Sequence, residues 1–271
     1  MSSSGHDSSS QKLLIVFEDR EFLAINKFPG IHSAALPKSP NDKTSVAAQL
    51  AQQFPGIQHA SPKSEDAGLI NRLDFETSGL LIAARSREAW IALHSAQKKG
   101  EIKKSYLALL EGEFPRQQKK LRIFLGAKGR SAKKMRVYEP TPDGKFRGGV
   151  RAQLCESNFE PVLFVPELSL SLVRIEIGLG KRHQIRAQAA HLGHPLVGDL
   201  LYGSNMNLQL ACGLPHAFLL HAYQLHLPHP CTKTPMVLSA ALPYATQAAE
   251  APTNKKGPIL ALFNKISEVT R

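Results

Sequence analysis

Between residues 172 and 192 the apolar repeat lengthens from two positions to nearly four, and this change limits what the chain can fold into. Val173, Ile175 and Ile177 point one way while Arg174 and Glu176 point the other, the pattern of a half-buried strand. After the turn Gly178-Leu179-Gly180, the residues Ile185, Ala189 and Leu192 form an apolar stripe. Residues 182–192 therefore read as a helix, which Gly193 and Pro195 end. Such a unit suits a sheet with helices packed on it, not a single-type layer.

The rest of the chain repeats this mixture without strict β–α alternation. Residues 13–17 and 22–26 read as a hairpin around a polar turn. Val46, Leu50 and Phe54 predict a short helix after the possible caps Asp42 and Thr44, and Ser86 can cap a second one carrying Trp90, Leu93 and Ala96. Residues 68–74 and 79–84 read as strand, turn, strand. Residues 102–110 alternate, with Lys104 and Tyr106 on one face, and residues 218–227 read as a late strand. The expected class is α+β, a mixed and largely antiparallel sheet flanked by helices. Residues 1–11 are Ser-rich and read as a disordered tail, 12–246 as one domain, and 247–271 as a linker with a short terminal helix around Ile259, Leu262, Phe263 and Ile266.

Charge narrows the partners. The chain of 271 residues has 34 Lys and Arg against 22 Asp and Glu, a net charge of +12 that favours a polyanion. Residues 116–136 hold nine of these cations (Arg116, Lys119, Lys120, Arg122, Lys128, Arg130, Lys133, Lys134 and Arg136) and no acid. A solvated loop kept for solubility would also explain the run. Its single sign, the flexibility expected from Gly126 and Gly129, and the further cations Lys98, Lys99, Lys103, Lys104, Lys145 and Arg147 nearby favour phosphate binding, because counterion release rewards clustered cations. With few aromatics interleaved, structured RNA held by its backbone fits better than a single strand held by stacking. No apolar run approaches the ~18 residues of a membrane span, and the first residues lack the pattern of a signal peptide. Cys155, Cys212 and Cys231 are too few and too scattered for a disulfide framework or a zinc knuckle, so a reducing cytoplasm is expected.

Three segments carry candidate chemistry. In Asn71-Arg72-Leu73-Asp74-Phe75-Glu76-Thr77-Ser78-Gly79, an aspartate leaves a strand and enters a turn; it could face a cleft, or simply cap the turn through the Thr77 or Ser78 amide. In Lys104-Ser105-Tyr106, the tyrosine is core or catalyst. In Gly180-Lys181-Arg182-His183-Gln184-Ile185-Arg186, two arginines four apart could grip phosphate, pair with a carboxylate, or face solvent.

Taken in order, these segments carry a resemblance. Arg-Leu-Asp-x-x-Thr-Ser-Gly-Leu-Leu at 72–81, Lys-x-Tyr-x-Ala at 104–108, the run 180–186, and Gly-His-Pro-x-x-Gly-Asp-x-x-Tyr-Gly at 193–203 make the chain similar to the RluA/RsuA-type family of RNA pseudouridine synthases over about residues 12–245. Asn26-Lys27-Phe28-Pro29-Gly30 and Leu220-His221-Ala222 look like further landmarks. The resemblance implies the pseudouridine synthase fold and an isomerase of uridine in RNA that needs no metal and no organic cofactor. It implies Asp74 as the catalytic aspartate and Tyr106 as the ring that stacks on the base and assists a later proton transfer. Arg186 would hold Asp74 through an ion pair, with Ile185 packing beneath the site and Arg72, Lys104, Lys181, Arg182, His183 and Gln184 contacting substrate. Large-subunit ribosomal RNA is expected ahead of transfer RNA, and a monomer without an obligate protein partner is expected.

Asn71, Lys181 and Gln188 depart from the family's usual His, Arg and His, and only about eleven residues precede the catalytic region, so no S4-type module is expected. Zinc hydrolysis through His183, His191 and His194 lacks the ligand spacing, and Asp74 with Glu76 sits too close in sequence to flank one glycosidic bond. A non-catalytic RNA-binding protein is the serious alternative, against which Asp74, Tyr106 and Arg186 together count.

Overall fold

A computed structural model describes residues 13–36, 39, 42–127, 133–147, 151–207, 218–243 and 256–270. The expected N-terminal tail, most of the expected linker, Lys128, Arg130 and Cys212 lie outside the described residues. Ten strands form one sheet: β1 (Ile15–Glu18), β2 (Phe22–Lys27), β3 (Ser78–Ala84), β4 (Lys103–Glu111), β5 (Lys119–Gly126), β6 (Arg136–Tyr138), β7 (Ala152–Val165), β8 (Leu170–Ile177), β9 (Leu220–Pro228) and β10 (Pro235–Ser239). Their order is β1-β2-β3-β9-β4-β8-β7-β5-β6, with β10 paired to β9. Among the described residues every pairing of these strands is antiparallel except β3 with β9, where Ser78 faces His221 and Gly79 faces Ala222. The fold is thus α+β on a mixed, mostly antiparallel sheet.

That parallel contact requires a glycine. Gly79 has φ +111, and a Cβ there would lie 2.3 Å from the Ala222 carbonyl oxygen. Beside it, buried His221 bridges the same two segments. Its Nε2 faces the Ala240 carbonyl at 2.9 Å and must carry the hydrogen, so Nδ1 accepts from Ser78 Oγ at 2.9 Å. Burial pushes the His221 pKa down to about 4, so this neutral bridge does not titrate near pH 7.

Among the described residues four helices pack on the sheet: α1 (Val46–Gln53), α2 (Arg87–Lys98), α3 (Gln184–His191) and α4 (Lys256–Thr270). Tyr106, Ala108 and Leu110 of β4 share a core with Ile185 and Ala189 of α3. The intervening Leu107 and Leu109 share another with Leu262, Phe263 and Ile266 of α4. Alternate residues of one strand thus serve opposite layers. Each of those three α4 side chains is worth ~1.5–3 kcal/mol when buried, so the terminal helix is part of the core.

Several local expectations need correction. Ser45, not Asp42 or Thr44, caps α1 by accepting from Ala48 N, while Asp42 binds the Thr44 amide and hydroxyl. Segment 68–74 makes one isolated bridge, Leu69 with Ala83, and is otherwise turn and loop. Helix α3 starts at Gln184 because His183 adopts a left-handed conformation, φ 53 and ψ 23. Arg182 therefore lies outside the helix, and the expected Arg182–Arg186 face does not form. The basic run is in part ordered strand, β5 and the start of β6, and Gly126 is paired within it.

Candidate active site

Asp74 occupies the first position of a turn closed by the backbone, with Thr77 N donating to Asp74 O at 3.1 Å. The carboxylate is directed to Arg186, so the turn-capping alternative does not describe it. Side chains pin both flanks of this loop. Asn71 donates to Leu80 O and accepts from Ile82 N, which ties the loop to β3. Ser33 Oγ both donates to Leu73 O and accepts from Leu73 N. Lys27, 1% exposed, donates through Nζ to the carbonyls of Phe28, Ile31 and Phe75 at 2.8–3.0 Å. Burial pushes the Lys27 pKa down to about 7, against the pull of the Glu76 and Asp74 carboxylates.

Arg186, in the first turn of α3, joins two acids. Nη1 donates to Asp74 Oδ2 at 3.3 Å, while Nε and Nη2 form a two-pronged pair with Asp199 at 2.6 and 2.8 Å. Its guanidinium also lies over the rings of Phe218 and Tyr202, at 4.7 and 5.2 Å. Burial works against the charge, and the Asp199 hydrogen bonds with both carboxylates outweigh it, so the Arg186 pKa is raised. Asp199 is 2% exposed and the Asp74 side chain 28%, so the buried acid fixes the arginine and the arginine presents the accessible acid.

Tyr106 lies on β4 where the β4–β9 register shifts, and it is buried beside this group. Burial, then the Asp74 carboxylate, raises its pKa, which keeps the phenol protonated. Tyr202 Oη accepts from Met135 N at 2.8 Å, leaving its proton for His183 Nδ1 at 3.0 Å. Burial, foremost, and the neighbouring arginines lower the His183 pKa. The neutral ring then carries its hydrogen on Nε2, 3.9 Å from Asp74 Oδ2.

One cavity of about 840 Å³ collects Asp74, Lys104, Tyr106, Lys181, His183 and Arg186, a volume suited to a small organic group such as a nucleoside. Lys104 is buried, and burial pushes its pKa down to about 8. When the Gln97 amide nitrogen donates to Ile70 O, its oxygen accepts from Lys104 Nζ at 3.0 Å. Thr77 Oγ1 is buried on the cavity wall without a partner. Not every expected residue contributes in the same way. Gln184 is occupied by Lys181 N, Glu156 O and Ser157 Oγ and braces the turn. Ile185 packs beneath Tyr106. Arg72 is half-exposed and pairs with Asp66, and Arg182 donates to Lys133 O at 3.0 Å.

Sequence reasoning missed Asp199, Tyr202, Lys27 and Gln97 as parts of this site. The first two stand in the 193–203 run, whose spacing marked them without indicating a partner. The family model for RNA pseudouridylate synthase matches residues 21–191. The chain belongs to the RNA pseudouridylate synthase family. It is therefore an isomerase of the kind that modifies uridine in RNA. "Uncharacterized RNA pseudouridine synthase YhcT" of Bacillus subtilis is 32% identical over 232 residues, 86% of this chain and 69% of that protein. "Ribosomal large subunit pseudouridine synthase C" of Yersinia pestis is 31% identical, over 84% of this chain and 65% of that one. The solved human RNA Pseudouridylate Synthase Domain Containing 1 shares the fold, with a TM-score of 0.65 at 24% identity over 87% of this chain and 86% of its own.

The three histidines considered for zinc have separate partners: His183 meets Tyr202, His191 meets Glu139 and His194 meets the Glu111 carbonyl. Among the described residues, no helix is long and apolar enough to cross a membrane.

Proposed function

We propose that this synthase isomerises specific uridines in structured RNA, with Asp74 as the nucleophile, acting on large-subunit ribosomal RNA before transfer RNA. The observation that carries this reading is the chain Asp199–Arg186–Asp74 beside buried Tyr106: a fixed arginine holds one accessible carboxylate at a cavity. A carboxylate can attack C1′ or C6 of the target uridine, which must first leave its stack. Tyr106 stacks on the extruded base and, as a protonated phenol, donates a hydrogen bond rather than resting as a base. Lys104 and Lys181 contact the substrate from the cavity wall, and the ribosomal choice is supported by the printed function of the Yersinia relative.

In the reaction the C1′–N1 bond breaks, a C1′–C5 bond forms, the C5 hydrogen leaves as a proton, and N1 gains one. In vitro transcripts of ribosomal and transfer RNA carrying tritium at uridine C5 should therefore release one label to water per site, with chain length unchanged. Free labelled uracil would identify a glycosidase instead, and no release from any transcript would favour a non-catalytic RNA-binding protein.

The basic segment divides in its use. Lys133 and Lys134 connect to cavity residues: the cavity-lining Arg182 donates to the Lys133 carbonyl, and Lys134 Nζ lies 5.0 Å from the Tyr202 ring that His183 meets. Lys120 and Arg122 instead line a groove with Lys103 and Ser105, on the face of β4 opposite Lys104 and Tyr106. Lys133→Gln with Lys134→Gln should flatten the log–log salt dependence of RNA binding by ~0.7–0.9 per lost phosphate contact, and Lys119→Gln with Lys120→Gln by less. Equal slopes for both pairs and wild type would return the segment to a solubilising role.

A further inference from the structure

Next to the candidate nucleophile stands an aromatic ring that the chemistry above does not use. Phe75 follows Asp74 directly, and 42% of the residue is exposed at the rim of the cavity. His32, from the loop after β2, lies against it with ring centroids 4.6 Å apart and planes tilted by 47°. Both residues line the cavity, and Leu36, 45% exposed, lines it too. The Phe75 backbone is fixed: its carbonyl accepts from buried Lys27 Nζ at 3.0 Å and from Gly30 N at 2.9 Å. A large apolar ring is thus held rigidly half in water, one residue from the reacting carboxylate. Lys181 and Arg182 line the same cavity, so flat apolar surface and cations border one opening.

That combination matches a nucleotide, whose base offers a π-face and whose phosphate offers charge. Extruding a uridine also strips its neighbours of one stacking partner each, and a ring at the mouth of the pocket can replace it. We infer that Phe75, backed by His32, is a stacking platform for the nucleobase adjacent to the target uridine. The inference rests on the reading of this cavity as the uridine site. Stacking tolerates any base, so the platform contributes RNA affinity and favours purines by their larger face, without strict sequence choice.

The probe is the set of C5-tritiated ribosomal and transfer RNA transcripts, with label release measured against RNA concentration. Phe75→Leu keeps the apolar bulk and removes the π-face. It should raise the RNA concentration for half-saturation by about 5- to 100-fold, with the loss falling there rather than on the saturated rate. Phe75→Trp should restore wild-type half-saturation or improve it. Thermal unfolding of both variants should match wild type because the ring is half in solvent. Wild-type half-saturation in Phe75→Leu would overturn the platform alone. Absence of release by the wild-type protein would overturn the reading of the site and the platform with it.

Discussion

Asp74→Asn is expected to abolish label release while leaving the fold and RNA affinity close to wild type. The amide has the shape of the carboxylate but cannot serve as the nucleophile. The fold should survive because Asp74 makes the longest of the three Arg186 hydrogen bonds, at 3.3 Å, and the two bonds to Asp199 are untouched. The turn should survive because its closing bond runs from Thr77 N to the Asp74 carbonyl, which the substitution keeps. A loss of at least a thousandfold, on the order of 4 kcal/mol in the barrier, is the expected size. Release within about tenfold of wild type, a barrier change of ~1.4 kcal/mol, would remove Asp74 from the role. Thermal unfolding and filter binding of the same variant separate a chemical loss from a folding loss.

The legible parts of the fold are those with an apolar repeat or a short apolar run bounded by polar turn residues. Strands β4 and β8 and the core-facing residues of α2 and α3 follow from apolar period, and β1, β2 and β9 from short apolar runs, although β2 is buried on both faces. Strand β5 has the same alternation, with Leu121, Ile123 and Leu125 between Lys120, Arg122 and Phe124, but its cations made it read as a charged loop. Strand β7 hid behind Pro161, where its register with β8 shifts. Strand β10 is five residues long, and its Val237 is exposed. Helix α3 starts two residues later than its periodicity predicts because the left-handed His183 turns that ring toward Asp74 and Tyr202. The period records which residues face the core and cannot record a strained residue at a site.

The site shows a similar division. Asp74, Tyr106 and Arg186 stand in motifs, so their types and order are readable, while their partners depend on the tertiary fold. Lys27 illustrates this: a lysine at a strand end reads as exposed, yet here it is buried and staples three carbonyls around the Asp74 loop. Asn71 is a departure from the family pattern that the structure makes intelligible. Its two-sided bond to β3 fixes the backbone of the Asp74 loop.

Asp199→Asn should be nearly as damaging to function as the loss of Asp74, through a different failure. Asp199 accepts from both Nε and Nη2 of Arg186, and both residues are buried. An amide removes the counter-charge and turns either an N–H group or a single oxygen toward the guanidinium. Breaking one side of a buried pair costs ~3–5 kcal/mol, a large share of the ~5–15 kcal/mol that holds a typical domain folded. The remaining acid within reach is Asp74, so Arg186 should draw closer to it and compete with substrate for the carboxylate. A lower melting temperature together with strongly reduced label release is therefore expected, whereas Asp74→Asn should show only the second. A cycle with Arg186→Met tests the cause: in that background Asp199→Asn should cost much less than in wild type, because the charge it served is gone. Equal costs in both backgrounds would mean that Asp199 does not act through Arg186, and the backbone bond from Tyr202 N to the Asp199 carbonyl, which the substitution keeps, would not account for them.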